Sequence, residues 1–600
     1  MEDLRTGKRR AYVPAGVYVL RRGTLAATVV AVCVAQMALA IPAVLNGLFQ
    51  QDLGPSSAQL TWISDSFFVP VCVLELSFGV LGDLFGRKRL LVIGALVLAA
   101  GEAVGVLTPG ITAPTGTRLV VLWSGQALAG LGAAAIFPTS LAMVAAGTYT
   151  ARDRARSVSI WAAALSVGNC ASPILGGLAA RAHFGSDPLA GWKWAFLVVI
   201  GLALISVIVS GIFAKDSSSP EGRSLDWPGQ ATIAIGLFAL LWAVVQGPTS
   251  GWRNWQVILG FAVAVVFLAL FVRIERRSEA PLLRLDFFYN RNFAMASVIT
   301  VVGMFAFLGT AYSTSIRLSA IQGFSPLRTA TAFVFLNGLA LVELPVTIRL
   351  LERRNPKWPL TAGFMLMAGG AVWLASIPAS DESLVPVVPP FMLVGFGFAL
   401  ALAAVTAIAV NTAPNHLAGM ASGSTNMLRD FGFTLGPAII GAVALSQAAA
   451  TIRHKLATST ALRHALSAFA SAPSQVPASQ RPAVTAAVHA VQSGPLGANA
   501  VPATVVSPNG SVVPFNPLKP IAFDALSHSY SIGFLICAGS ALAAALLTAI
   551  LIRGQAYEPM LDLEMLDELR LNTSAATAAK NVAHIVGRRS APRRRLLLAA

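Results

Sequence analysis

The chain is 600 residues long, 56% hydrophobic and only 12% charged, with a mean hydropathy of +0.70; this excludes an ordinary soluble globular protein and fits repeated bilayer crossings. Its formal net charge of +17 does not signal nucleic-acid binding, because the basic residues fall in short loops between apolar runs and in the two tails, where they face anionic lipid and set orientation. Cys33, Cys72, Cys170 and Cys537 lie within apolar stretches without metal-like spacing, so each reads as a small buried hydrophobe, and no metal site is expected.

Residues 1–23 carry Arg5, Lys8, Arg9, Arg10, Arg21 and Arg22 and lack a clear small-residue cleavage site, so they read as a cytoplasmic tail leading into a retained helix. Apolar runs at 25–48, 59–82, 90–109, 118–146, 158–180 and 192–213 follow. Each is long enough to cross ~30 Å of hydrocarbon at 1.5 Å per residue. Together they define an N-terminal six-helix segment, 24–213, and loop charge alternates along it. Arg87, Lys88 and Arg89 fall on one side with Arg152, Arg154, Arg156, Lys215 and Arg223, whereas the loops near 50–57 and 110–117 are almost free of lysine and arginine. The turn Gly79 to Arg89 (G-V-L-G-D-L-F-G-R-K-R) links two spans; Gly79 and Gly82 suit close backbone approach, and Asp83 can meet a helix N-terminus or an arginine.

Two further spans, 229–247 and 255–273, occupy a linking segment 214–292 and precede the basic loop of Arg273, Arg276, Arg277, Arg284 and Arg291. The second half, 293–553, supplies spans at 293–318, 328–350, 359–378, 386–411, 419–446 and 529–552, with Arg349, Arg353, Arg354 and Lys357 again inside. The expected fold class is therefore all-α and polytopic, with fourteen crossings and both termini cytoplasmic. Residues 447–527 form an extracytoplasmic insert rich in Ala, Ser, Pro, Val and Gln; Ala448 to Ala470 could form an amphipathic helix, and the rest reads as extended or disordered. A cytoplasmic tail, 554–600, joins an acidic stretch at 561–570 to a basic end containing Arg588, Arg589, Arg593, Arg594 and Arg595. It reads as solvated or lipid-touching.

Acids inside spans call for a functional account, because a carboxylate at the bilayer centre costs about 2.5–3.5 kcal/mol on insertion scales. Glu75 precedes Asp83 by eight residues, about 12 Å along a helix, which places it near mid-membrane as the preferred proton or cation site. A protonated carboxyl holding two helices together is the competing role. Asp65 falls toward the outer end, where hydration is the alternative. Glu102 and Glu343 are further candidates. Arg429 and Asp430 are adjacent and do not share a helix face, so Arg429 is expected to pair with another helix. His416, His454 and His528 show no H-E-x-x-H or triad context, and no Walker-type loop occurs; no catalytic residues, ATP use or enzyme activity are expected.

Several motifs carry a family resemblance. The Gly79–Arg89 turn resembles the G-x-L-a-D-r-x-G-r-k signature of the major facilitator superfamily, and T-W-I-S-D at 61–65 is similar to the second helix of its fourteen-helix drug:proton antiporter branch, with Asp65 at that branch's acid. Gly168, Pro173, Gly176 and Gly177 match the antiporter motif around G-P-x-x-G-G, with Ser172 in place of a glycine. G-W-K-W-A-F at 191–196 and the glycine-rich run 418–438 containing Arg429 add to the match, which covers the transmembrane body but not the insert or tails. The resemblance implies two six-helix bundles plus two linking helices, and alternating access around a central site lined by Glu75 with Asp65 and Gln126. It also implies a conformational gate at Gly79, Gly82, Asp83, Gly86, Arg87 and Lys88, and a hinge or leak barrier at Gly168, Pro173, Gly176 and Gly177. Two positions depart from the family pattern: Ile41 stands at the first-helix acid and Gln126 at the fourth-helix arginine, with Ala129 replacing a glutamine. Gln126 can hydrogen-bond but supplies no positive charge.

The expected function is secondary export of small amphipathic or cationic molecules across a bacterial plasma membrane. Its energy source would be the proton gradient, with no cofactor, no nucleic acid and a monomeric protein. The alternatives are an uncoupled facilitator or exporter of an endogenous lipid or metabolite, and a non-transporting receptor or scaffold.

Overall fold

A computed structural model describes residues 20–148, 151–182, 184, 189–217, 226–278, 281, 283, 285–412, 418–458, 495–500, 504–506, 512–514 and 519–552. Of the basic residues expected to orient the two tails only Arg21 and Arg22 are among these; the others, the side chains of Arg152, Arg154 and Arg156, Arg223, Arg284, His416 and most of the insert lie outside them.

The first span is broken in two. Helix α1 covers Arg22–Ala40 and α2 covers Pro42–Leu53, with Ile41 between them. Pro42 has no N–H to continue the ladder and its ring opposes the preceding turn, so an uninterrupted run over 25–48 is corrected to a bent pair. Then come α3 (Ser57–Phe85), α4 (Arg87–Val106), α5 (Thr115–Ala146), α6 (Ala151–Ala179) and α7 (Trp192–Phe213). The linking pair is α8 (Trp227–Ser250) and α9 (Trp255–Glu275). The second half contains α10 (Arg291–Ser315), which runs into a π-helical turn at Ile316–Ile321, then α11 (Pro326–Arg353), α12 (Lys357–Ser376), α13 (Val388–Thr412), α14 (Ala418–Thr458), a short α15 (Pro495–Ala500) and α16 (Lys519–Leu551).

With α1–α2 as one bent span, all fourteen expected crossings are helical, and thirteen helices among the described residues are long and apolar enough to cross a membrane. The tenth, α11, has several side chains outside the described set. Local chemistry starts these helices where the apolar runs begin. Ser56 and Gln59 form a reciprocal capping box on α3, and Asp226, Asn254, Asn290 and Ser325 accept from the first turns of α8, α9, α10 and α11.

In the first half α4 packs against α5 and α7, α3 against α5, and α1 against α5, α6 and α7; in the second, α10 packs against α14 and α16, and α12 against α13 and α16. The halves meet along two seams, α3 against α14 and α6 against α11, while the α8–α9 hairpin leans on both α3 and α14. Gln230 of α8 anchors it by donating to Val73 O at 2.9 Å and bonding Ser77 Oγ. The insert is not wholly extended. Helix α14 runs on to Thr458, α15 is helical, and strands β1 (Thr504–Val506) and β2 (Val512–Pro514) pair antiparallel.

Small residues set the helix spacing, as expected where lipid offers no hydrophobic driving force between helices. A Cβ on Gly130 would overlap the carbonyl of Phe67, joining α5 to α3, and one on Gly101 would overlap the backbone of Ala129, joining α4 to α5. Replacing Gly130 by Val is expected to destabilise the protein by about 1–3 kcal/mol, the usual cost of overpacking. A detergent melting curve checks this; an unchanged midpoint would mean the α3–α5 contact is softer than drawn.

Candidate functional site

Glu75 lies on α3 with no solvent exposure. Neither carboxylate oxygen has a hydrogen-bond partner of good geometry, and Arg429 and Asp430 of α14 are close enough to act on it electrostatically. One turn earlier on α3, Cys72 Sγ contacts Met427 O at 4.0 Å. This places an acid of the first half against an arginine and a second acid of the second half, on the α3–α14 seam.

The expectation that Arg429 pairs only away from Asp430 is corrected. Arg429 Nε donates to Asp430 Oδ1 at 2.7 Å and Nη1 to Asn426 Oδ1 at 3.3 Å. Adjacent Cβ atoms diverge on a helix, but the long arginine stem folds back along α14, and burial of both groups favours a pair over two isolated charges. Three buried ionisable groups, two acidic and one basic, therefore share the seam.

One turn along α14 from Arg429 stands Phe433. Its ring lies 6.2 Å from that of Phe307 on α10 and 6.1 Å from that of Phe398 on α13, and Phe307 and Phe398 stack at 3.6 Å. Nothing in the spacing of these three phenylalanines marks them as a group; their convergence comes from the packing of α10, α13 and α14.

Asp65 is also completely buried, and both its oxygens lack a hydrogen-bond partner; hydration at an exposed outer end is thus corrected to burial. Four residues before it on α3, Thr61 shares a 3.0 Å hydrogen bond with Tyr312 of α10, and Tyr312 faces Tyr530 of α16 with rings 6.5 Å apart. Gln126 sits on the face of α5 that packs onto α3, between Trp123, whose indole donates to Gln59 O, and Gly130 against Phe67. Neither end of its amide is hydrogen-bonded. Glu102 is buried in α4 with both oxygens unpaired. Glu343 in α11 accepts from Thr347 Oγ1 at 3.3 Å and has a second oxygen without a partner. Among the described residues no hydrogen bond or ion pair joins Glu102 or Glu343 to the Glu75 cluster, so these acids are dispersed, not one constellation.

The expected gate is assembled as a clamp. Arg87 donates to Asp83 Oδ1 through Nε at 2.9 Å and Nη2 at 2.6 Å, and reaches Ala142 O of α5 and Ser217 Oγ at 3.4 Å. Lys88 Nζ donates to Gly211 O at 2.7 Å and its backbone N–H to Asp216 at 3.0 Å. Gly86 has φ +100°, a backbone conformation that favours glycine, and a Cβ there would displace the Asp216 carboxylate, which lies 2.6 Å away. Gly82 approaches Thr139 closely, but a Cβ on Gly79 would meet only Pro138 at 3.8 Å, an ordinary contact; the close-approach role of Gly79 is corrected.

In the expected hinge, Pro173 lies within α6. Gly168 abuts the Cys33 carbonyl of α1 and Gly176 faces Val44 of α2, whereas Gly177 abuts Leu327 of α11. Gln36 of α1 also donates to Asn169 of α6 at 2.8 Å.

Two polar arrangements went unanticipated. Arg118 at the start of α5 donates to Asp52 O at 2.7 Å and Asp52 Oδ1 at 2.6 Å, and Trp192 Nε1 donates to Asp52 Oδ2 at 2.7 Å. Across the halves, Asn46 of α2 donates to Ser315 Oγ at 3.0 Å, Ser315 Oγ bonds Ala43 O, and a Cβ on Gly47 would sit 2.9 Å from Ser319 O. The halves are thus locked together at the end where α2 meets the π turn.

A family profile described as Major Facilitator Superfamily matches residues 27–437. Multidrug resistance protein Stp of Mycobacterium tuberculosis is 30% identical over 407 residues, 68% of this chain and 73% of that protein. The tetracenomycin C resistance and export protein of Streptomyces glaucescens is 27% identical over 425 residues, 71% of this chain and 76% of that protein. Among solved structures, an inward-facing bacterial homologue of the human lysosomal transporter Spinster superposes with a TM-score of 0.57 at 13% identity, covering 89% of this chain and 98% of that one.

Proposed function

Since the chain belongs to the Major Facilitator Superfamily and is a multi-pass membrane transporter, we propose that it exports a small amphipathic or cationic, aromatic-bearing molecule in exchange for protons. The single observation that supports this most is the Glu75, Arg429 and Asp430 cluster on the α3–α14 seam. Two buried acids against one arginine leave one negative charge in excess. In a low-dielectric interior that charge is neutralised by a proton or by a cationic substrate. Competition for one acid is the minimum requirement of antiport, and a site shared by two halves changes its surroundings when the halves rock. The first-helix acid and fourth-helix arginine of the family pattern are absent here, as Ile41 and Gln126; Glu75 and Arg429 take over their charges from α3 and α14. The neighbouring Phe307, Phe398 and Phe433 offer faces for a flat apolar substrate. Relatives named for tetracenomycin C resistance and export and for puromycin resistance support export of a small organic molecule.

The orientation follows loop charge: the Gly86 turn is cytoplasmic, the α2–π-turn contact is outer, the protein sits in the bacterial plasma membrane with cytoplasmic termini, and it works as a monomer without a cofactor. Export of an aromatic cation from cells expressing the protein should exceed that of control cells and fall when the proton gradient is collapsed. Export that persists after collapse would favour the second reading, an uncoupled exporter, for which Ile41 and Gln126 speak.

A further inference from the structure

Among its described residues the insert reaches back into the bundle at α15. In α15, Leu496 is fully buried and Asn499 is 3% exposed. The helix touches α2 and α3 of the first half and α14, α16 and the π turn of the second, so it lies over the junction of the halves. Asn499 Nδ2 donates to Ala320 O at 3.0 Å and Ile321 O at 3.1 Å.

Those carbonyls explain why an asparagine sits there. The π turn hydrogen-bonds onward only as far as Gln322 N to Arg317 O and Phe324 N to Leu318 O, after which Gly323 turns the chain at φ +70°. The last two carbonyls of the turn, of Ala320 and Ile321, are helix-end acceptors, and one amide group donates to both. Asn499 therefore caps from a distant segment the turn whose Ser319 packs on Gly47 of α2, next to Ser315 at the end of α10, which accepts from Asn46.

We propose that α15 is an outer latch of the transport cycle: Asn499 is a positioning residue that holds the π turn in the conformation able to grip α2, and Leu496 seals the junction. This rests on the orientation given above. Opening the outer end parts α2 from the π turn. Helix α15 shares its hydrogen bonds and chain connections with the second half, so it travels with that half and breaks its contact with α2 and α3. The latch thus biases the protein toward the outward-closed state and sets how readily the outer end opens.

The test uses the full-length chain with its four cysteines replaced and Ser319→Cys as a reporter, treated in intact cells with a membrane-impermeant maleimide, without substrate. Asn499→Ala and Leu496→Ala should each speed labelling, Asn499→Ala by about tenfold, as loss of two ordinary hydrogen bonds gives; Asn499→Gln should recover part of the slow rate. Unchanged labelling in both variants, with melting curves like the parent's, overturns the latch. Failure of both to fold also overturns it, because a contact broken in every cycle cannot be what holds the fold together. Acceleration seen only in inside-out vesicles overturns the outer placement. Since parent and variants are labelled under the same membrane energisation, without substrate, and the readout is the ratio of their rates and not a flux, failure of the antiport reading leaves the comparison unaffected.

Discussion

Glu75→Gln is expected to give a folded transporter whose export no longer responds to a proton gradient. The amide keeps the volume of the acid and can still hydrogen-bond, but it neither releases a proton nor carries the charge that a cationic substrate would replace. Groups that carry protons in a reaction contribute about 10²–10⁴-fold to its rate, so gradient-driven flux should fall by at least about a hundredfold while substrate exchange without a gradient persists. Proteoliposomes loaded with an aromatic cation, with and without an imposed pH difference, measure both. Wild-type gradient dependence in Glu75→Gln would remove Glu75 from the mechanism. Asp65 would then be the first acid to examine, being equally buried and unpaired.

The largest loss of stability is expected from Arg118→Ala. Its partner Asp52 has a completely buried side chain and Arg118 is 3% exposed, so truncation strands a carboxylate that keeps only the Trp192 indole. Breaking one side of a buried pair costs about 3–5 kcal/mol, whereas replacing both partners by apolar groups of similar volume is often neutral. Arg118→Ala should therefore lower the detergent melting temperature sharply, and the double change Asp52→Leu with Arg118→Met should restore most of it. A double variant no better than Arg118→Ala would mean the pair contributes through its specific hydrogen bonds, such as Arg118 to Pro109 O at 2.9 Å, more than by avoiding a stranded charge.

What could be read from the sequence was whatever repeats locally. Apolar runs located the helices, and counting eight residues back from Asp83 placed Glu75 inside the bilayer. The Ile41–Pro42 break was signalled by proline in an apolar run, but the unbroken hydrophobicity on either side hid it. Long-range pairing was not legible: Asp52 and Arg118 are 66 positions apart, and no periodicity links the ends of two spans. The contact of Arg429 with Asp430 was not legible, because helix-face rules describe Cβ directions and not where a long flexible side chain ends. Helix α15 was illegible for a different reason. One buried leucine and one asparagine in an Ala- and Pro-rich stretch make no pattern until the backbone of another element is there to receive them.

Helix α6 presents glycines in two directions, Gly168 and Gly176 toward its own half and Gly177 toward α11. A rod that is slim on both sides can serve as an axle, because the partners on either side bear on backbone and few bulky groups must repack as they roll. If the halves rock as proposed, enlarging Gly177 is expected to slow transport while leaving each bundle intact, whereas enlarging Gly168 is expected to loosen α6 within its own bundle.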